Sequence, residues 1–281
     1  MSQESDVYTD LVAEADYLDG FVAGLGAEWD LPTPAPGWTV AHQIAHLAFV
    51  STLARQAAAE PAAFAAQASA AKSGFQAAVD GALQRLLADS HGGILERWRR
   101  ERVAAAEALA AVPAGQMVPW LVNPLPASVL TAAGLMEHFG HGQDVVDALG
   151  AQREYTDRIG HVAWFATRTR DFGYEARGLE PPEQEFRFEL TAPSGAAWNF
   201  GPEDAEQRVS GPAVDFCLLV TRRRHRDDLD LKAVGRHADR WLDIAQAYRG
   251  PAGDGRRPGQ FAGNSGQNPD AAPAARTLTQ S

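Results

Sequence analysis

The amino-acid sequence predicts a mainly α protein with a smaller α+β C-terminal region. Apolar residues recur at steps of three and four through the first half of the chain. Alanine, the best helix former, supplies much of the 45% hydrophobic content. Strict alternation, the mark of a strand with one wet face, first occurs at Glu185-Phe186-Arg187-Phe188-Glu189-Leu190. A chain of 281 residues is long for one core, so the expected organisation is residues 1–150, residues 151–250 and a disordered tail over 251–281.

The elements follow in order. Residues 4–25 place Val7, Leu11, Ala15, Leu18, Val22 and Leu25 on one helical face. Pro32, Pro34 and Pro36 stiffen the next loop, which should lay Trp38 down against the fold. Thr39 suits the N-cap of a second helix reaching about Ala59. Pro61 opens a third segment with Phe64, Phe75, Val79, Leu83 and Leu86 buried, and Ser90-His91-Gly92-Gly93 breaks it. A helix from Ile94 to Ala111 turns Leu95, Trp98, Val103 and Leu109 inward, and the run Glu96, Arg97, Arg99, Arg100, Glu101, Arg102 reads as a solvated face. Val112 to Leu125 is an apolar loop carrying Trp120, a candidate pocket wall or a packed bundle end. Pro126 to Gly150 is a helix buried through Leu130, Leu135, Val145, Val146 and Leu149.

Beyond Gly150 a helix over Tyr155–Gly178 should end before Pro181-Pro182. Pro193-Ser194-Gly195 is turn chemistry, and Trp198-Asn199-Phe200 resumes the alternation, so a hairpin is expected. Gln207–Ser210 supplies a third strand, and Gly211-Pro212 opens a helix through Leu218, Leu219 and Val220. The basic run Thr221–Asp228 reads as a solvated helix end or as a contact for an anionic group. A last helix over Ala238–Tyr248 packs through Trp241, Ile244 and Ala245. From Gly250 onward, Gly, Pro, Ala and Asn dominate, a composition that favours disorder.

A net charge of −11 makes nucleic acid or an anionic membrane a poor partner. No apolar run approaches the roughly 18 residues of a membrane span, and the N-terminus lacks the blocks of a signal peptide. With Cys217 as its single cysteine, the chain suits a reducing, cytoplasmic compartment, as a monomer or homodimer acting on a small molecule.

The chemistry concentrates in the helix ending at Gly150. Glu137 and His141 lie four residues apart, so both side chains leave one face one turn apart. Such a pair is either a solvated i, i+4 contact or half of a divalent-metal site. His138, about 100° around the helix, is not a ligand candidate but is a candidate for the cavity lining, and Asp147 reads as surface. In the second helix His42 and His46 are again one turn apart; His46 lies in the apolar middle and is the inward one, as a core histidine or a third ligand. Asp144 and Gln143 are candidates to accept the spare imidazole N–H of His141, with Asp144 alternatively an exposed helix residue.

Pro36-Gly37-Trp38-Thr39-Val40, Gln43-Ile44-Ala45-His46-Leu47 and Met136-Glu137-His138-Phe139-Gly140-His141-Gly142-Gln143-Asp144-Val145 together resemble the DinB-like metalloenzymes related to mycothiol-dependent maleylpyruvate isomerase. The resemblance covers roughly residues 5–150 as a DinB-like four-helix bundle, and Thr191–Gly250 is similar to the smaller C-terminal region of a subgroup. It implies His46, Glu137 and His141 as ligands of a divalent metal, Zn²⁺ first and Ni, Fe or Mn as alternatives. It also implies mycothiol as an external thiol, because Cys217 lies outside the bundle; from their own positions in the chain Trp38, His42 and Trp120 are the candidate cofactor-binding residues. The expected activity is a mycothiol-dependent isomerase or S-transferase acting on a small electrophilic metabolite. The alternatives are a thiol-independent enzyme of the same fold, using metal-bound water or a Lewis-acid metal for hydrolysis, elimination or rearrangement, and a non-catalytic metal-binding protein.

Overall fold

The structure is a computed structural model and describes residues 6–70 and 75–261. Helix α1 (Val7–Val22) starts at Asp6, whose carboxylate accepts the Tyr8 backbone N–H. Helix α2 (Val40–Ala59) starts after Thr39 as the sequence predicts. The third segment is two helices, α3 (Pro61–Ala70) and α4 (Phe75–Leu86), and the side chain of Phe75 lies outside the described residues. Helix α5 (His91–Ala110) begins three residues earlier than expected, because Ser90 Oγ accepts the Gly93 N–H and turns the supposed breaker into a cap. The expected loop before the last bundle helix contains a two-stranded ribbon, β1 (Met117–Val118) against β2 (Leu125–Pro126). Helix α6 (Ala127–Leu149) ends at Gly150, whose φ of +60° is the left-handed cap that glycine accepts without a Cβ clash.

Helices α1, α2, α5 and α6 form the bundle. Its core holds Leu18, Ile44, Leu47, Leu53, Trp98, Leu130 and Val145. The charged run on α5 is not simply solvated. Arg102 is buried and donates to Asp16 and Asp19, Arg99 pairs with Asp19, and Glu101 is buried against Arg55. Two helices pack closely enough here that the guanidinium stems cover apolar surface while their heads find carboxylates.

After the bundle, the single helix expected over Tyr155–Gly178 is broken into α7 (Gly160–Arg168) and α8 (Phe172–Glu175). At the break, the Thr169 hydroxyl bonds the Phe165 carbonyl, and Gly173 sits so near the Ile244 carbonyl that an added Cβ would lie 2.2 Å from its oxygen. Strands β3 (Phe186–Thr191) and β4 (Ala197–Phe200) form the expected hairpin, and β5 (Gln207–Pro212) joins β3 in parallel. A fourth strand not foreseen, β6 (Lys232–Val234), pairs antiparallel with β5, giving the order β4-β3-β5-β6. Helices α9 (Ala213–Val220) and α10 (Arg236–Ile244) pack on the sheet through Phe216 and Trp241, which meet Phe188.

Helix α6 serves two cores. Leu130 and Val145 face the bundle, whereas Leu135, Met136 and Phe139 join Ile159, Phe188, Phe216 and Trp241. The tail expected to begin at 251 packs against the rest of the protein as far as Phe261, whose ring lies under Arg224 at 3.8 Å. The remainder of that expectation, residues 262–281, lies outside the described residues. Among the described residues no helix is long and apolar enough to cross a membrane.

Candidate metal centre

The two long apolar helices α2 and α6 cross with His46 facing Glu137 and His141. Glu137 Oε2 lies 3.4 Å from His46 Nε2 and 3.1 Å from His141 Nε2, and the three donor atoms fall within 4.8 Å of one another. The imidazole centroids are 4.4 Å apart. Trp38 packs on both, stacked on His141 at 5.8 Å and tilted on His46 at 5.4 Å, so the stiff proline loop delivers an indole onto the cluster. Burial opposes the Glu137 charge, but in the acid range where the carboxyl titrates, protonated His141 and His46 donate to it and more than offset that cost, holding it well below the usual carboxylate range. Burial, reinforced by His46, pushes His141 down to about 4. At neutral pH a carboxylate therefore faces a neutral imidazole.

The sequence missed the residue that holds His141. Its Nδ1 lies 2.5 Å from Gln43 Oε1, and Gln43, fully buried one turn before His46 on α2, also reaches Thr33 Oγ1 at 2.9 Å and Asp144 Oδ2 at 3.5 Å. Only its position three residues before His46 could have pointed to it. Asp144 does not make the expected bond to His141. It is 1% exposed and held by Arg223 Nε at 3.0 Å and Arg256 Nη2 at 2.5 Å. Gln143 lies on another face, donating to Asp147 and accepting from the Tyr155 hydroxyl. Asp147, expected on the surface, is enclosed by a bidentate Arg224 at 2.7 Å. The basic run is thus neither a free helix end nor an open anion site. Arg223 and Arg224 tie the end of α9 to α6, and Arg226 pairs with Asp239 and Asp243.

A cavity of about 1030 Å³ opens beside the cluster, its walls mostly apolar and including Trp38, Val50, Trp120, Leu130, Trp164 and Tyr248. Of the three candidate cofactor contacts, Trp38 and Trp120 line it. His42 does not, because its Nδ1 accepts the Thr39 N–H at 3.2 Å and is spent on capping α2. His138 is buried, with Nδ1 on the Gly134 carbonyl and Nε2 accepting from Trp98 Nε1 at 3.3 Å; burial lowers its pKa, and both nitrogens are satisfied in the neutral form. Cys217 is fully buried, which pushes its thiol pKa up, and it faces the Ile159 carbonyl rather than the cavity.

The cluster fits a divalent cation on its own chemistry. The Gln43 carbonyl can only accept, so the His141 proton lies on Nδ1 and Nε2 turns a lone pair toward an anionic oxygen 3.1 Å away. Two acceptors facing each other at hydrogen-bond distance need a cation or a proton between them. His46 Nδ1 is buried with no partner, which leaves its Nε2 as the nitrogen directed to the same point. Two imidazoles and a carboxylate match the protein ligands of an open catalytic zinc site, as a closed structural site would supply a fourth.

A bundle whose second and last helices bring two imidazoles and a carboxylate to one cavity wall defines a DinB-like protein. Residues 11–146 match the family model described as the mycothiol maleylpyruvate isomerase N-terminal domain. Residues 182–234, the region of the sheet, match the model described as wyosine base formation. Two curated proteins, both named as uncharacterized and from two strains of Mycobacterium tuberculosis, are each 46% identical over 257 residues, spanning 91% of this chain and 100% of each relative. A crystal structure of a histidine-to-alanine mutant of mycothiol-dependent maleylpyruvate isomerase superposes with a TM-score of 0.53 at 15% identity, covering 81% of this chain and 91% of that one. The last likeness establishes the fold. The chain belongs to the mycothiol-dependent maleylpyruvate isomerase-like family of DinB-like proteins.

Proposed function

We propose that the protein is a cytoplasmic, divalent-metal-dependent enzyme, with Zn²⁺ the favoured ion, that uses mycothiol to isomerise or S-conjugate a small electrophilic metabolite. His46, Glu137 and His141 would hold the metal. The observation that carries this reading is the convergence of two imidazole nitrogens on one carboxylate oxygen at the wall of a large cavity. A cation held there supplies Lewis acidity, polarising a substrate carbonyl and favouring the anionic form of a thiol at neutral pH. Trp38 covers both imidazoles and keeps water from one side of the cluster. The apolar walls exclude water from the remainder and strengthen electrostatic interactions at the centre. A cavity of about 1030 Å³ has room for a thiol cofactor and a second molecule together. The nucleophilic sulfur has to come from outside, because Cys217 is sealed in the other core.

Elemental analysis of the purified protein should find close to one metal ion per chain, and His46→Ala, Glu137→Ala and His141→Ala should each remove it. A full metal complement in those variants would sink the assignment. Calorimetric titration of the zinc-loaded protein with mycothiol should release or absorb heat. A silent titration at millimolar thiol would redirect the proposal to thiol-independent chemistry at the same metal.

A further inference from the structure

The hydrogen-bond chain behind His141 runs in one direction, and a hydroxyl sets it. Thr33 Oγ1 donates its proton to the Trp38 carbonyl at 2.9 Å, so toward Gln43, also at 2.9 Å, it can only accept. Gln43 must therefore turn its NH₂ to Thr33. The same NH₂ faces Asp144 Oδ2 at 3.5 Å, a carboxylate oxygen between two guanidinium groups. Two acceptors on one side thus leave the Gln43 carbonyl for His141 Nδ1. A flipped amide would oppose its oxygen to Thr33 and Asp144 and present N–H to Nδ1. The His141 proton would then move to Nε2, and the nitrogen facing Glu137 would have no lone pair for a metal.

Resting on the metal reading above, we infer that Gln43 is a positioning residue that selects Nε2 of His141 as the metal-binding nitrogen, its own orientation set by Thr33 and by Asp144. Each supporting group comes from a different part of the chain. Thr33 belongs to the proline loop, whose backbone N–H also bonds the Trp38 carbonyl at 2.7 Å. Asp144 lies on α6, one turn from His141 but directed behind it. Arg223 follows α9, donating its Nε–H to the Gly140 carbonyl at 2.8 Å while its guanidinium forms an ion pair with Asp144 at 3.0 Å. Arg256 belongs to the segment after Gly250, and its side chain is 8% exposed. That segment, with the composition of a linker, thereby completes the support of a ligand it does not touch.

The test uses the full chain. Long-range ¹H–¹⁵N NMR of the imidazoles in chelator-treated protein reads which nitrogen of His141 carries the proton. Competition with a chromophoric chelator reads zinc affinity. Wild-type protein should show His141 protonated at Nδ1. In Gln43→Leu the proton should shift toward Nε2 and zinc affinity should fall about 10- to 100-fold, the range for losing a partner behind a metal-binding histidine. Thr33→Val and Arg256→Gln, which leave the Gln43 carbonyl in place, should move both readouts the same way by less. A wild-type His141 protonated at Nε2 overturns the inference, as does a Gln43→Leu protein with unchanged affinity. If Gln43→Leu does not fold, an unchanged nitrogen pattern and zinc affinity in Thr33→Val overturns it instead. Failure of wild-type protein to take up zinc overturns the metal reading and this inference with it, whereas zinc uptake indifferent to Gln43 overturns this inference alone.

Discussion

Glu137→Gln should stabilise the metal-free protein while removing its response to zinc. Glu137 Oε2 lies 3.1 Å from a His141 nitrogen that bears a lone pair, and with zinc withdrawn by a chelator no proton satisfies that pair at neutral pH. An amide NH₂ at that position can donate to both imidazoles, and the side chain is only 26% exposed, so water offers a limited substitute. A net gain of about 0.5–1.5 kcal/mol follows from typical hydrogen-bond contributions, or about 1–6 °C in melting temperature. The wild-type protein with zinc at a hundredfold excess over its Kd should gain about 2.7 kcal/mol, or roughly 5–10 °C, because the metal binds only the folded chain. In Glu137→Gln that increment should largely vanish, so the two proteins exchange rank when zinc is added. Differential scanning calorimetry of chelator-treated and zinc-titrated samples measures both quantities. A metal-free Glu137→Gln that melts well below wild type, by the about 3–5 kcal/mol of a broken buried ion pair, would mean that His141 donates from Nε2 and would refute the reasoning.

Two further outcomes follow from groups away from the ligands or beside them. Burial that raises the Cys217 pKa predicts that the folded protein resists 5,5′-dithiobis(2-nitrobenzoate) up to mildly alkaline pH and reacts only on unfolding, and that Cys217→Ala retains mycothiol-dependent turnover; rapid labelling of native protein would contradict this. His138 has a folded pKa lowered by burial below its unfolded value of about 6.5, so its contribution to stability is complete above that pH and declines as pH falls toward the folded pKa. His141, lowered to about 4, acts with the same sign. The melting temperature of chelator-treated protein should therefore drop between pH 7 and pH 5, and a flat profile across that window would show that His138 is not held neutral.

Local signals in the chain were sufficient wherever one residue type acts on its own backbone. Thr39 caps α2, Gly150 ends α6 in the left-handed region, and Pro212 precedes α9, each for a reason contained within a few residues. The start of α5 was misplaced because Gly92-Gly93 argues for a break, and only the Ser90 cap reverses it. Strand β6 escaped notice because Lys232–Val234 is too short to show a period and exists through its pairing with β5. Charges were the least legible. Arg102 and Asp147 read as surface residues in one dimension, and Asp144 as a partner of His141, yet each is enclosed because its counter-charge arrives from a distant segment.

Helical periodicity alone places Glu137 and His141 on one face and lays the apolar stripes that carry them and His46 inward, because both facts are local to a single helix. Tertiary structure alone decided that His46 meets that pair across two helices and that Gln43, not Asp144, lies against His141 Nδ1. It also decided that Arg256 from the supposed tail closes the network behind it. These contacts join residues about ninety to more than a hundred positions apart. Their geometry depends on how α2 crosses α6 and where the chain returns after the sheet, which no periodicity within either helix encodes.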